Sequence, residues 1–289
     1  MRTPAASHDR AADFTRAYQD AVDHWPVPVT SVDVPTDYGT THILICGQQA
    51  APAVLLLPGS GATATAWRDV AGGLAGSYRV IAADSIGQPG LSTPGDLPIK
   101  TALDLAHWLD QILDSLAITH VALIGHSYGG WIALRYALHA PGRVSRLVLL
   151  DPTDTLAPLS LRYRLHAIPL LARPSPERMR RFLAWETRGR PLDPAWLAVI
   201  TSGQNLGRAK IVLPRPLRAG QLAGLRTPAL VIVAARSRAH DPRQITRRAK
   251  DRLPDVATAT LPRATHHSIP AEDASDLLRH IKPFLAGST

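Results

Sequence analysis

Six short, mostly apolar runs limit how this chain can fold: Val54–Leu57, Arg79–Ala83, Val121–Ile124, Leu147–Leu150, Ala229–Val233 and Val256–Leu261. A strand that is apolar at both odd and even positions has no side to offer water, so it must be covered on both faces. Helical spacing of apolar residues recurs between the runs, at 63–75, 101–116, 129–139, 242–253 and 271–286. Strands alternating with helices in this way predict a mostly parallel sheet between two helical layers, an α/β fold. Residues 10–23 read as one more helix, and Thr30–Val34 with Thr40–Cys46 as an opening hairpin. The alternation fails once, from about 155 to 224. Only helical fragments broken by prolines occur there, such as Ser175–Glu186 and Pro194–Thr201. That stretch is expected to be a helical insertion, residues 155–224, in a core made of 1–154 and 225–289.

Composition narrows the function. With 289 residues, 45% of them hydrophobic and 19% charged, the chain can bury a large core and is not a disordered one. No apolar run reaches the roughly 18 residues that a membrane-crossing helix needs, and the first 25 residues carry charges throughout. Cys46 is the only cysteine, so neither an internal disulfide nor a cysteine-built metal site can form. A cytoplasmic protein is expected. The net charge of +9 raises the question of nucleic acid. Residues 155–224, however, hold 12 Arg and Lys against 3 Asp and Glu, which is the whole excess. No interleaved aromatic pattern or known nucleic-acid module accompanies them, so the expected partner is a small molecule, with no nucleic acid and no membrane. A monomer or a homodimer is equally compatible with the sequence.

The chemistry is carried by the third run. Val121–Ile124 leads into Gly125-His126-Ser127-Tyr128-Gly129-Gly130 and then into the helical stretch Trp131–His139. This is G-x-S-x-G in a strand–turn–helix setting, the context that gives the motif its meaning. A serine at so tight a turn projects its hydroxyl, the glycines remove Cβ atoms where strand and helix cross, and the helix N-terminus favours developing negative charge. No P-loop is present, because Gly59-Ser60-Gly61 is not followed by the Lys-Ser/Thr pair. The histidines are scattered, so no metal and no cofactor is implied.

On these residues the chain resembles the α/β-hydrolase family over nearly its whole length. Its N-terminal half, in WPVPVTSVDVPTDYGTTHILICG (25–47) and YRVIAADSIGQPGLS (78–92), is similar to bacterial carboxylesterases of the naproxen-esterase type. The resemblance implies an eight-stranded sheet with a helical cap inserted after the sixth strand, and Ser127 as nucleophile. It implies a histidine base on the loop after the last strand. That base is His266, the histidine of the family's GxGH pattern, with His267 as the adjacent alternative. The family's usual acid position after the seventh strand is Ser237 here, which cannot carry the charge. Two carboxylates could replace it. Asp151 ends the sixth strand, where some members of the superfamily keep their acid, and is the expected one. Asp241 is the alternative, although Asp241-Pro242 also reads as a helix start. The backbone N–H groups of Ser60 and Tyr128 are the expected oxyanion hole. Proline at 58 stands where the family has the histidine that braces this turn. The function implied is hydrolysis of a carboxylic ester, lactone or thioester of an apolar substrate through an acyl-enzyme. The departures at Pro58 and Ser237 leave open a biosynthetic thioesterase, cyclase or acyltransferase, or a non-hydrolytic variant. The cap aromatics Tyr163, Phe182, Trp185 and Trp196 are expected to pack it onto the core and in part to roof the pocket. Cap arginines such as Arg162, Arg164, Arg178, Arg180 and Arg181 suit an anionic or carrier-bound substrate, or simply solvent.

Overall fold

The structure, a computed structural model, describes residues 4–206, 211–269, 271 and 273–287. In chain order the elements are α1 (Pro4–Asp23), β1 (Val29–Thr36), β2 (Gly39–Cys46), β3 (Ala53–Leu57), α2 (Arg68–Leu74), β4 (Arg79–Ala83), α3 (Ala102–Ser115), β5 (Val121–His126), α4 (Tyr128–His139), β6 (Val144–Leu150), α5 (Leu161–Ala172), α6 (Pro176–Glu186), α7 (Pro194–Ser202), α8 (Ala219–Leu222), β7 (Ala229–Ala234), α9 (Pro242–Arg252), β8 (Val256–Leu261) and α10 (Ala274–Leu285). The eight long strands form one sheet in the order β1-β2-β4-β3-β5-β6-β7-β8, and the short pair Thr93–Pro94 adds to β2. The strands from β3 onward pair in parallel, whereas β1 and β2 form the antiparallel hairpin.

The pleat explains why both strand faces had to be apolar. Leu55 and Leu57 of β3, Leu123 of β5, Leu147 and Leu149 of β6 and Val231 of β7 point into one core, where they meet Trp108 of α3, Trp131 of α4 and Ile245 of α9. The alternate residues Val54, Leu56, Ile124, Val148, Leu150 and Ile232 point into the other, against Phe14 of α1, Val70 of α2 and Leu277 of α10. Every side chain of β5 and β7 is buried. A strand in this position offers no exposed face on which a polar residue could sit.

Helices α5 to α8 all lie between β6 and β7. Leu170, Met179, Phe182, Leu183, Trp196 and Ile200 form an apolar cluster of their own. The segment is not detached from the rest: Val199 of α7 shares a cluster with Phe14 of α1, and Leu217 and Leu222 join the core on the α4 side. Prolines start α6 and α7 at the first helical turn, with Ser175 and Asp193 capping them through Arg178 N–H and Trp196 N–H.

The strand-to-helix turn after β5 is held by close backbone approach. A Cβ on Gly129 would lie 2.1 Å from the carbonyl oxygen of Leu57, and one on Gly125 would lie 2.3 Å from that of Gly129. Neither partner is a side chain that could swing aside. Gly129→Ala is therefore expected to lower stability by about 3 kcal/mol or more. Gly142→Ala, whose Cβ would meet nothing within 4 Å, is the control and should stay within about 0.5 kcal/mol of wild type. Urea denaturation of both variants measures this, and equal midpoints would contradict the close approach.

Candidate active site

Adjacent parallel strands bring the principal groups to one rim. In the β5–β6 register His126 stands opposite Leu150, so the next residues, Ser127 and Asp151, emerge side by side at the carboxyl ends of their strands. Both take left-handed backbone angles, φ 53° at Ser127 and φ 41° at Asp151. Such angles are uncommon for a residue with a side chain and cost on the order of 1 to 3 kcal/mol each. They are held by main-chain bonds that extend the ladder one residue past each strand: Ser127 N–H to Leu150 O at 2.9 Å and Asp151 N–H to Ile232 O at 2.9 Å.

A continuous hydrogen-bond chain joins three of the residues singled out by sequence. Ser127 Oγ lies 2.9 Å from His266 Nε2, and His266 Nδ1 lies 2.7 Å from Asp151 Oδ2. The tautomer follows from the partners. An ionised carboxylate only accepts, so Nδ1 carries the proton and Nε2 receives the serine hydroxyl. Ser237, which stands where an acid was expected, donates its hydroxyl to the same Asp151 Oδ2 at 2.8 Å. Burial by itself would push the Asp151 carboxyl up. The hydrogen bond from His266, the fields of His240 and His266 and the bond from Ser237 outweigh it and hold the group well below the usual carboxylate range. Asp241 is exposed and accepts from Arg243 N–H at 3.0 Å as the N-cap of α9, outside this chain. His267 is also outside it: its Nε2 meets the Tyr163 hydroxyl at 3.0 Å.

The turn after β3 lies close against Ser127. A Cβ on Gly59 would come within 3.3 Å of Ser127 Cβ, and Ser60 and Tyr128 border the same cavity. No protein acceptor is found for either Ser60 N–H or Tyr128 N–H among the described residues. For Tyr128 this follows from its place at the first helical position, where the N–H has no partner within the helix. The brace expected to be missing with Pro58 comes from another loop. Gln88 Oε1 accepts from Ser60 Oγ at 3.1 Å and from Gly61 N–H at 2.9 Å.

Several contributors were not foreseen. Glu186, at the end of α6, is fully buried. Its carboxylate accepts from the N–H groups of His266 at 3.0 Å, His267 at 3.1 Å and Arg238 at 3.4 Å, and so grips the loop that carries the histidine. Thr153 Oγ1 lies 2.8 Å from Ser127 Oγ. His126 Nε2–H donates to the carbonyl of His266 at 2.8 Å. His240 sits with its ring 5.5 Å from that of His266, and its Nε2 is buried without a partner among the described residues. Asp151, His240 and His266 offer ligand atoms within 4.8 Å of one another. Two of those atoms already share a proton at 2.7 Å, which a metal would have to displace. Over Ser127 opens a cavity of 640 Å³, roofed by Tyr163, Phe182 and Trp196 with Leu170, Met179 and Ile200. Trp185, the other roof candidate, instead stacks on His166 with ring centroids 3.9 Å apart.

Burial sets how this region responds to pH. His126 is buried and lies beside His266, which brings it down to about 3, and burial lowers His240 as well. An unfolded histidine titrates near 6.5. Above that pH both states are neutral and nothing changes. Below it the unfolded chain takes up protons that the folded one refuses, so stability should fall as pH drops, by about 1 kcal/mol per pH unit from His126 alone. Denaturation midpoints between pH 7.5 and 5 test this. His126→Gln should flatten the slope by about one proton, and an unchanged slope would mean that His126 is protonated in the fold.

Residues 54–280 match the model of the alpha/beta hydrolase family. The carboxylesterase nap of Bacillus subtilis (strain 168) is 27% identical over 266 residues, 89% of this chain and 87% of that protein. Carboxylesterase YbfK of the same organism is 32% identical over 141 residues, about half of each chain (49% and 47%). The crystal structure of naproxen esterase from Bacillus subtilis superposes with a TM-score of 0.88 at 26% identity, covering 96% of this chain and 98% of that one. The family model spans most of the chain, and this chain belongs to the alpha/beta hydrolase family.

Proposed function

We infer that the protein is a serine hydrolase that cleaves carboxylic esters of an apolar acid through an acyl-enzyme on Ser127. The observation that carries this reading is the bonded chain Ser127–His266–Asp151 at the floor of an apolar cavity. His266 Nε2 takes the serine proton as Oγ attacks the ester carbonyl, and the imidazolium so formed is stabilised by Asp151. Charge developing on the carbonyl oxygen is met by the N–H groups of Ser60 and Tyr128. His266 then returns the proton to the departing alcohol, and water repeats the sequence to release the acid. On this reading residues 155–224 act as the lid that shapes the pocket and excludes water.

The cavity favours an uncharged acyl group over an anionic or carrier-bound one. Among the described residues Arg164 is the only cation in its lining, and it stands at the rim, 3.5 Å from Asp154. The relatives named as carboxylesterases point to an ester as substrate, and no contact among the described residues favours the thioesterase alternative.

A fluorophosphonate probe should label Ser127, with turnover of p-nitrophenyl esters rising as the acyl chain lengthens to fill the cavity. Ser127→Ala should lose about three or more orders of magnitude. Asp151→Asn should lose about three to four orders, because the amide would present a donor where His266 Nδ1–H needs an acceptor. Asparagine tolerates the left-handed backbone there, so the fold should persist. Asp241→Asn keeps its cap and should stay within about twofold of wild type. Peptide mapping that finds the probe elsewhere, or a reversal of the two aspartate variants, would overturn the assignment.

A further inference from the structure

We propose that the outer face of α5 is a docking surface for an anionic lipid bilayer, from which apolar esters enter the site directly. The proposal rests on the hydrolase reading only for what enters, not for the docking itself. Among the described residues seven large apolar side chains are exposed, and five of them, Leu161, Leu165, Ile168, Leu171 and Leu213, gather on this side of the molecule with exposures of 54% to 73%. Leu161, Leu165 and Ile168 follow the spacing i, i+4, i+7, which puts them on one helical stripe. Ile168, Leu171 and Leu213 also line the cavity above Ser127. The stripe is therefore continuous with the mouth of the pocket, and a chain leaving a lipid layer here would not cross water.

Charge selects the partner. All of the net +9 lies in residues 155–224. Of the three acids there, Glu186 is buried under the site and Asp193 caps α7 and pairs with Arg68 at 3.3 Å. Only Glu177 remains exposed on the outside. Arg162 and Arg164 flank the stripe on α5, and Arg180 and Arg181 are exposed on the neighbouring α6. An apolar stripe between arginines is the pattern of a helix that lies in the headgroup region of a negatively charged membrane, each cation adding to the attraction. No helix among the described residues is long and apolar enough to cross a membrane, and surface docking does not require one.

The test uses the full chain carrying Ser127→Ala, so that lipid is not consumed, with vesicles of phosphatidylcholine alone or mixed with phosphatidylglycerol. Flotation should recover the protein on the anionic vesicles and not on phosphatidylcholine, and about 0.5 M salt should weaken capture because it screens exposed charges. Adding L161E/L165E, neither of which lines the cavity, should weaken capture by about tenfold or more. The same pair of changes with Ser127 intact should hydrolyse a short, soluble ester at the wild-type rate. Absence of capture, equal capture on both vesicles, or capture indifferent to L161E/L165E overturns the proposal. So does a dimer in sedimentation velocity that L161E/L165E abolishes, which would make a second copy the occupant of the stripe. If capture is found but no ester is turned over, the docking surface stands and the hydrolase reading falls.

Discussion

A carboxylate with no access to water organises this molecule's site. Asp151 is fully buried, and a buried charge is tolerated only where hydrogen bonds replace its hydration. Here they come from His266, from Ser237 and, at 3.4 Å, from the N–H of Ala234. Those partners are the last residue of β7, the loop after it and the loop after β8, so the charge ties β6, β7 and the loop after β8 together at one corner. Left without Asp151, His266 would have no acceptor for Nδ1–H, and its ring would lose the bond that holds it beside Ser127.

The segment inserted after Asp151 returns to secure the same corner. Glu186 of α6 holds the His266 loop by its main chain. Arg190, four residues further on, forms a two-pronged ion pair with Asp273 at 3.0 and 3.1 Å, and Asp273 in turn accepts from Ser268. Tyr163 of α5 caps the arrangement, with its ring edge-on to His266 and its hydroxyl on His267. The helices that roof the cavity are thus also the outer supports of the histidine. A change in their position would be felt at the imidazole of His266 as well as in the shape of the pocket.

What could be read from the sequence follows from the range of each signal. The runs around Leu55, Ile124, Leu149 and Val231 announce a doubly covered sheet because burial on both faces leaves no polar position. The turn around Ser127 is legible because glycines are required within two residues of it. The partner of His266 is harder to read. Ser237 looks like a loss when a single position is considered, whereas in space it donates to Asp151 from the neighbouring strand's end. Gln88, Glu186 and Thr153 carry no local signature. Each acts through a contact 26 or more residues away in sequence, and periodicity and turn chemistry do not reach that far. The stretch around α5 read only as helical fragments because Pro169 lies inside the helix, where sequence reasoning expects a break.

The hydrogen between His266 Nδ1 and Asp151 can be observed directly. Proton NMR of protein labelled with nitrogen-15 at histidine should show one strongly deshielded resonance bonded to His266 Nδ1 near neutral pH. It should be lost on Asp151→Asn and unaltered by Asp241→Asn. A resonance that survives Asp151→Asn, or that disappears with Asp241→Asn, would contradict the claim that the carboxylate at the end of β6 orients the base.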